Sequence, residues 1–295
     1  MAAVVWKEIL RSQKISLRKT RGQNFLADPN MGRKIVDILE LSPADAVLEI
    51  GPGLAALTDE LLHRAKYVLA VEIEKAFCAV LQEWFGDPVR FEVVNEDILN
   101  IDFPAVFDHL RAQTGPGGSV KVISNLPYYI STPILTRLLE RGLRFSKMVL
   151  TMQKEVAQRI TAAPGGKQYG SLSVFTQFFC KAKLEFKIPG AVFYPPPKVD
   201  SAVVSFVPLE QPPVLLLNRG LFFELVRASF SARRKTLRNS LKKFFMKEGM
   251  DAVRSETLLE NCAIDGRRRA ETLSIPEFAR MANLLSQRKT LKPRA

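Results

Sequence analysis

Apolar positions recur at two periods along the first two-thirds of the chain. Ile35, Val36, Ile38 and Leu39 fall on one helical face within 31–41, and Pro43 ends that run. Residues 46–50, Ala-Val-Leu-Glu-Ile, form a short apolar run that stops at Gly51, as a buried strand does. The same alternation predicts helices over 57–65, 75–85, 133–141 and 171–180, and strands over 67–72, 89–94, 120–124 and 147–152. Strands that alternate with helices predict a parallel sheet with helices on both faces. Two more apolar stretches, 182–188 and 201–207, predict a hairpin that closes the sheet. After Pro208 the texture changes. Gln211-Pro212-Pro213 has the composition of a linker. One long amphipathic helix is predicted over 221–245, and two shorter ones over 251–261 and 276–286. The expected domains are an α/β unit over 1–208 and a small all-helical unit over 209–295.

Composition narrows the class. Of 295 residues, 47% are apolar and 25% charged, enough core for one large α/β domain and a small second one. No apolar run approaches the ~18 residues that cross a bilayer. The first residues lack the apolar core of a secretory leader. The three cysteines (Cys78, Cys180, Cys262) and two histidines (His63, His109) show no metal-ligand spacing. A cytoplasmic, reduced, metal-free protein is expected, with no membrane partner. The net charge is +13, and it is unevenly spread. Residues 1–26 hold six Lys or Arg against one acid, residues 209–295 hold eighteen against nine, and the middle holds nineteen against twenty. A near-neutral body with two basic ends predicts a polyanionic partner, with nucleic acid first among them.

The candidate chemistry lies at strand ends. Gly51 and Gly53 turn the 46–50 strand toward a helix and let a ligand approach the backbone. A third glycine of the dinucleotide fingerprint is missing, since Ala55 and Ala56 follow, which argues against a nicotinamide site. Glu72 ends the next strand, where a carboxylate accepts hydrogen bonds from ribose hydroxyls. Asp97 follows the third strand and suits an exocyclic amine of adenine. The fourth strand ends at Asn125-Leu126-Pro127-Tyr128. The N6 lone pair of adenine is delocalised into its ring, so N6 is a poor nucleophile. The Asn125 oxygen and the Leu126 carbonyl are acceptors that can hold its N–H bonds. Pro127 fixes the backbone, and Tyr128 offers a flat face to a base. A proline-bearing turn with a buried tyrosine explains the same four residues taken alone.

Together these segments resemble the ribosomal RNA adenine N6-dimethyltransferases. Gln23-Asn24-Phe25-Leu26, Glu49-Ile50-Gly51-Pro52-Gly53, Val71-Glu72-Ile73, Glu96-Asp97-Ile98-Leu99, Asn125-Leu126-Pro127-Tyr128, Phe193-Tyr194-Pro195-Pro196-Pro197-Lys198-Val199-Asp200-Ser201 and Arg233-Arg234-Lys235-Thr236-Leu237 occur in the family's order, over about residues 18–285. The chain looks most like the bacterial small-subunit branch, which dimethylates two adjacent adenosines in the terminal hairpin of small-subunit ribosomal RNA. The resemblance implies a class I S-adenosylmethionine-dependent methyltransferase fold, Rossmann-like, with a mostly parallel seven-stranded sheet and a helical C-terminal domain. It implies donor contacts from Asn24, Leu26, Gly51, Gly53, Glu72, Asp97 and Asn125. It implies that Asn125, Leu126, Pro127 and Tyr128 frame the target base, with Phe193 on its other side. Arg18, Lys19, Arg21, Arg227, Arg233, Arg234, Lys235 and Arg238 become candidates for RNA phosphates, with Lys242 and Lys243 beside them and Arg267-Arg268-Arg269 as a weaker run. Ala55 and Glu96 stand where many members have glycine. A monomer acting on an assembling small subunit is expected. A large-subunit enzyme and a non-catalytic RNA-binding assembly factor are the alternatives.

Overall fold

The computed structural model describes residues 24–140 and 145–291. In chain order the elements are β1 (Phe25–Leu26), α1 (Pro29–Asp37), β2 (Ala46–Ile50), α2 (Thr58–Arg64), β3 (Tyr67–Glu72), α3 (Lys75–Phe85), β4 (Phe91–Asn95), α4 (Phe103–Gln113), β5 (Val120–Asn125), α5 (Ser131–Glu140), β6 (Lys147–Gln153), α6 (Lys154–Thr161), α7 (Ser171–Phe179), β7 (Cys180–Ile188), β8 (Phe193–Tyr194), β9 (Ser201–Pro208), α8 (Arg219–Ser229), α9 (Leu237–Lys247), α10 (Ala252–Asn261) and α11 (Ile275–Leu291).

Seven strands form one sheet in the order β4-β3-β2-β5-β6-β9-β7. Strands β2 to β6 pair in parallel, and β9 runs antiparallel to β6. Every residue of β2 and β3 is buried, which explains their continuous apolar runs: helices cover both faces. Val47, Val68, Ile123 and Val149 from the sheet pack with Ile35, Val36, Leu61 and Leu81 from α1, α2 and α3. Local chemistry starts the helices. Asp28 caps α1 by accepting from the Asn30 N–H at 2.9 Å, and Asn218 caps α8 by accepting from Leu221 at 2.9 Å. At the N-terminal ends of the strands, Asp45 and Lys121 form a buried ion pair at 2.9 Å. Asp45 also accepts from the Ser42 and Ser119 N–H groups, and Lys121 donates to the Leu39 and Glu40 carbonyls. Strand order reverses between β2 and β5, because β3 and β4 lie to one side of β2 and β5 and β6 to the other. Open α/β sheets bind ligands at that reversal, beyond the carboxyl ends of the strands. A second, two-stranded ribbon pairs β1 with β8, Phe25 opposite Tyr194 and Leu26 opposite Phe193.

The chain divides into two compact units. One runs to Ala157 and adds Ala182–Pro208; the other comprises Gln158–Lys181 and the residues from Leu209 onward. The single boundary expected at 208 is therefore incomplete, since residues 158–181 join the helical unit. The reason is apolar. Tyr169, Val174 and Phe178 share one core with Phe222, Leu225, Leu241, Phe245 and Phe278. The Gln177 amide also donates to the Ile160 and Ala162 carbonyls, at 3.0 and 2.8 Å.

The single helix expected over 221–245 is two, α8 and α9. The chain leaves the helix after Phe230, and Thr236 is extended, with φ −64° and ψ 159°. The next N–H groups are satisfied from outside: Leu237 donates to the Arg268 carbonyl at 2.7 Å and Arg238 to that of Gly266 at 3.0 Å. Arg233, Arg234 and Lys235 thus sit in an exposed turn, not on a helix face. Two helices, α4 and α6, lie where no element was predicted. The three cysteines are free and buried, as expected of small hydrophobes.

Candidate active site

The carboxyl ends of β2, β3, β4 and β5 lie side by side, because their registers align Ile50 with Val71 and Ser124, and Glu72 with Asn95. Each strand delivers its terminal residues to a cavity of about 340 Å³. Asn24, Leu26, Gly51, Gly53, Glu72, Asp97, Asn125, Leu126, Pro127, Tyr128 and Phe193 all line it. The eleven donor and base residues singled out in the sequence thus surround one space.

The glycine turn forms its floor. Gly51 has φ +66° and Gly53 φ +54°, a region that other residues seldom adopt. A Cβ on Gly53 would lie 2.8 Å from the Phe25 ring, so the turn and β1 can approach only through glycine. Ala55, which stands where many members of the family have glycine, is also left-handed, with φ 62°. The Gly53 N–H donates to Glu72 Oε2 at 3.1 Å, and the Glu74 N–H to Glu72 Oε1 at 2.9 Å. Glu72 is 5% exposed; burial raises its pKa, against the lowering by those N–H groups. Asp97 is half-buried, and its Oδ1 accepts from the Leu99 N–H at 2.9 Å.

The opposite wall is the turn after β5. Asn125 Nδ2 donates to the Asn24 carbonyl at 3.0 Å. That bond orients the carboxamide and leaves its oxygen without a partner among the described residues. The Leu126 N–H is held by the Thr151 carbonyl at 3.2 Å, while its own carbonyl accepts no hydrogen bond from them. Two acceptors are thus presented together. Tyr128 is half-buried; its hydroxyl lies 2.6 Å from the Ser201 Oγ, which fixes the ring. Burial pushes its pKa up, against that hydrogen bond. Phe193 and Leu26 reach the site through the β1–β8 ribbon, and both are buried.

Sequence reasoning missed Glu49. It sits in β2, is 1% exposed and lines the cavity. Neither carboxyl oxygen makes a hydrogen bond of ordinary geometry, and the nearby Thr58 hydroxyl is unpaired as well. Burial pushes its pKa up to about 8, with the Glu72 charge adding and Thr58 opposing. The signal was in the sequence: Glu49 is the single polar residue in Ala-Val-Leu-Glu-Ile. Four carboxyl groups (Glu49, Glu72, Glu96 and Asp97) line the cavity, and no Lys, Arg or His does so among the described residues. In a chain of net charge +13, this is a local inversion of sign.

The basic candidates divide. Arg18, Lys19 and Arg21 lie outside the described residues. In the helical unit, Arg227, Arg234, Lys235, Lys242 and Lys243 are exposed. Arg233 donates to the Lys167 carbonyl at 2.5 Å, and Arg238 forms an ion pair with Glu256. Arg267 pairs with Asp265 at 2.9 Å and Arg268 with Glu277 at 2.5 Å, so two of the three arginines in that run have structural partners. No cluster of potential metal ligands occurs among the described residues, and no helix there is long and apolar enough to cross a membrane.

The family model for ribosomal RNA adenine dimethylase matches residues 14–281. A ribosomal RNA small subunit methyltransferase A from Enterococcus faecalis is 42% identical over 283 residues, 96% of this chain and 95% of its own length. The protein of the same name from Pelotomaculum thermopropionicum is 44% identical over 281 residues, 95% of each chain. Among solved structures, a dimethyladenosine transferase from Plasmodium falciparum superposes with a TM-score of 0.72 at 26% identity, over 90% of this chain and 98% of its own. The 23S rRNA methyltransferase ErmE shares the fold, with a TM-score of 0.65 at 24% identity over 90% of this chain and all of its own. The seven-stranded, mostly parallel sheet with its helical C-terminal region is thus the predicted class I methyltransferase architecture, and the chain belongs to the ribosomal RNA adenine dimethylase family.

Proposed function

We propose that the protein transfers methyl groups from S-adenosylmethionine to N6 of two adjacent adenosines in the 3′-terminal hairpin of small-subunit ribosomal RNA, during subunit assembly. One observation carries this reading. Among the described residues, the cavity at the strand-order reversal is lined by four carboxyl groups and no Lys, Arg or His, beside two acceptors on Asn125 and Leu126 that have no partner there. Such a lining disfavours a pyrophosphate and suits a cationic donor. The unpaired Glu49 carboxyl and the backbone-held Glu72 fit the donor's positive charge and its ribose hydroxyls. When bound, the donor supplies an electrophilic methyl group on a sulfonium.

The residues of the chain position the acceptor. In the first transfer, Asn125 Oδ1 and the Leu126 carbonyl accept hydrogen bonds from the two N6–H groups of adenine. Holding both N–H bonds favours a pyramidal nitrogen and frees its lone pair. Tyr128 and Phe193 take the faces of the ring, which places the amine without a covalent bond to the protein. The alkylated nitrogen is acidic enough to give its proton to water, so no strong base is required. Arg227, Arg234, Lys235, Lys242 and Lys243, with Arg18, Lys19 and Arg21 of the N-terminal segment, supply the charge that binds RNA phosphates; Arg233 and Arg238 contribute less, being partnered already.

Transfer of labelled methyl groups to small subunits that lack the modification tests the reading. The label should appear as dimethyladenosine in the terminal hairpin by mass spectrometry. Asn125→Ala should lower the rate by about 100-fold or more while unfolding within roughly 2–4 °C of wild type. Absence of label in adenine, or full activity of that variant, defeats it.

A further inference from the structure

Phe193 borders two cavities. One is the site above; the other, about 540 Å³, opens to solvent along the segment from Gly190 to Asp200. Its lining is unlike an ordinary loop surface. Tyr194 and Val199 are 41% and 44% exposed, and Pro196 and Pro197 stand between them in sequence. The one acid, Asp200, is already engaged: its carboxylate pairs with Lys154 at 3.2 Å, and its carbonyl accepts from the Lys154 N–H at 3.0 Å. Lys198 is exposed and has no hydrogen bond or ion pair with a described residue. An aromatic face, an apolar rim and one uncommitted ammonium are the elements that hold one nucleotide of a single strand.

We propose that this second cavity takes the nucleotide next to the target adenosine, with its base against Tyr194 and Val199 and its phosphate toward Lys198. The inference rests on the proposed function, which puts the target base against the other side of Phe193. Adjacent nucleotides are covalently joined, so a strand that leaves one cavity meets the next across a single ring. A substrate with two neighbouring adenosines then has a seat for each, and the second waits beside the first.

The test uses the whole protein and small subunits whose terminal hairpin is supplied as synthetic RNA. 2-Aminopurine replaces the nucleotide on the 5′ or the 3′ side of the target. Stacking on Tyr194 should quench its fluorescence on one of the two sides; no quenching on either side overturns the proposal, and this readout needs no variant. An abasic nucleotide on the quenched side should lower kcat/KM by roughly 5- to 100-fold in wild type but by less than about 2-fold in Tyr194→Ala. Tyr194→Phe should restore the wild-type response. Lys198→Ala should raise KM and reduce the slope of log affinity against log salt by about one. Equal losses from the abasic site in wild type and Tyr194→Ala overturn the subsite alone. No transfer to the intact hairpin would instead remove the proposed function beneath it.

Discussion

Replacing Glu49 with glutamine removes one titratable proton from the middle of a buried strand, and the consequence for stability can be worked out. The carboxyl titrates near 8 in the folded protein against an ordinary 4.5, because burial penalises its charge. Between those values the folded chain keeps a proton that the unfolded chain has given up. Stability therefore falls as pH rises, by about 1.4 kcal/mol per pH unit. Over the interval the loss comes to about 5 kcal/mol, complete above pH 8 and absent below pH 4.5. No discount for solvent applies, since the side chain is 1% exposed. Glu49→Gln has nothing to lose over this range. Its amide adds unsatisfied donors, a roughly constant cost of about 1–3 kcal/mol. The difference between the two proteins should thus swing toward the variant as pH rises, whatever its starting value. Urea unfolding of the donor-free proteins at intervals from pH 5 to 8.5 measures it, and other titrating groups largely cancel in the difference. Parallel curves would mean that Glu49 is ionised in the folded state and has a counter-charge, and the argument from an unpaired acid would be refuted.

Asp45→Asn should cost about 3–5 kcal/mol in urea unfolding at pH 7, because it leaves the Lys121 ammonium buried without its anion. Burial opposes ionisation of Asp45, but the Ser42 and Ser119 N–H groups and Lys121 hold its pKa below 3.8. That stabilisation is present above pH 3.8 and lost as pH falls through the lowered value, so the gap between wild type and variant should narrow below it. Tyr128→Phe removes the bond to Ser201 and keeps the ring; a stability loss of about 0.5–1.5 kcal/mol with transfer rates within an order of magnitude is expected, and loss of transfer would show that the hydroxyl takes part. Ala55→Gly relieves a left-handed alanine worth about 1–2 kcal/mol of strain, which equals or exceeds glycine's entropy cost of about 0.5–1 kcal/mol, so calorimetry should find the variant as stable as wild type or up to about 1 kcal/mol more so.

The lining of the cavity was legible because its parts end successive strands. Gly51, Glu72, Asp97 and Asn125 each follow an apolar run, and a parallel sheet gathers such ends along one edge. What tied in Leu26 and Phe193 was not legible. Strands β1 and β8 have two residues each, too short for a period, and they join positions nearly 170 residues apart. The helix at Phe103–Gln113 did leave a signal, with Phe103, Phe107 and Leu110 on one face and Asp102 as its cap. The break between α8 and α9 left little: apolar residues keep a helical spacing across it, and only the turn at 266–268, brought in by the fold, supplies carbonyls to the second helix. The lone pairs of Glu49 could not be counted from sequence, since partners belong to the folded state.

The acidic lining of the cavity also bears on how a nucleic acid strand can approach it. A phosphodiester brought among Glu72, Glu96 and Asp97 meets carboxylates, and no Lys, Arg or His of the described residues lines the space to offset them. An uncharged heterocycle meets no such resistance. The opening therefore admits a nucleotide base first and keeps its backbone at the rim, so the strand is sorted by polarity before any particular base is recognised.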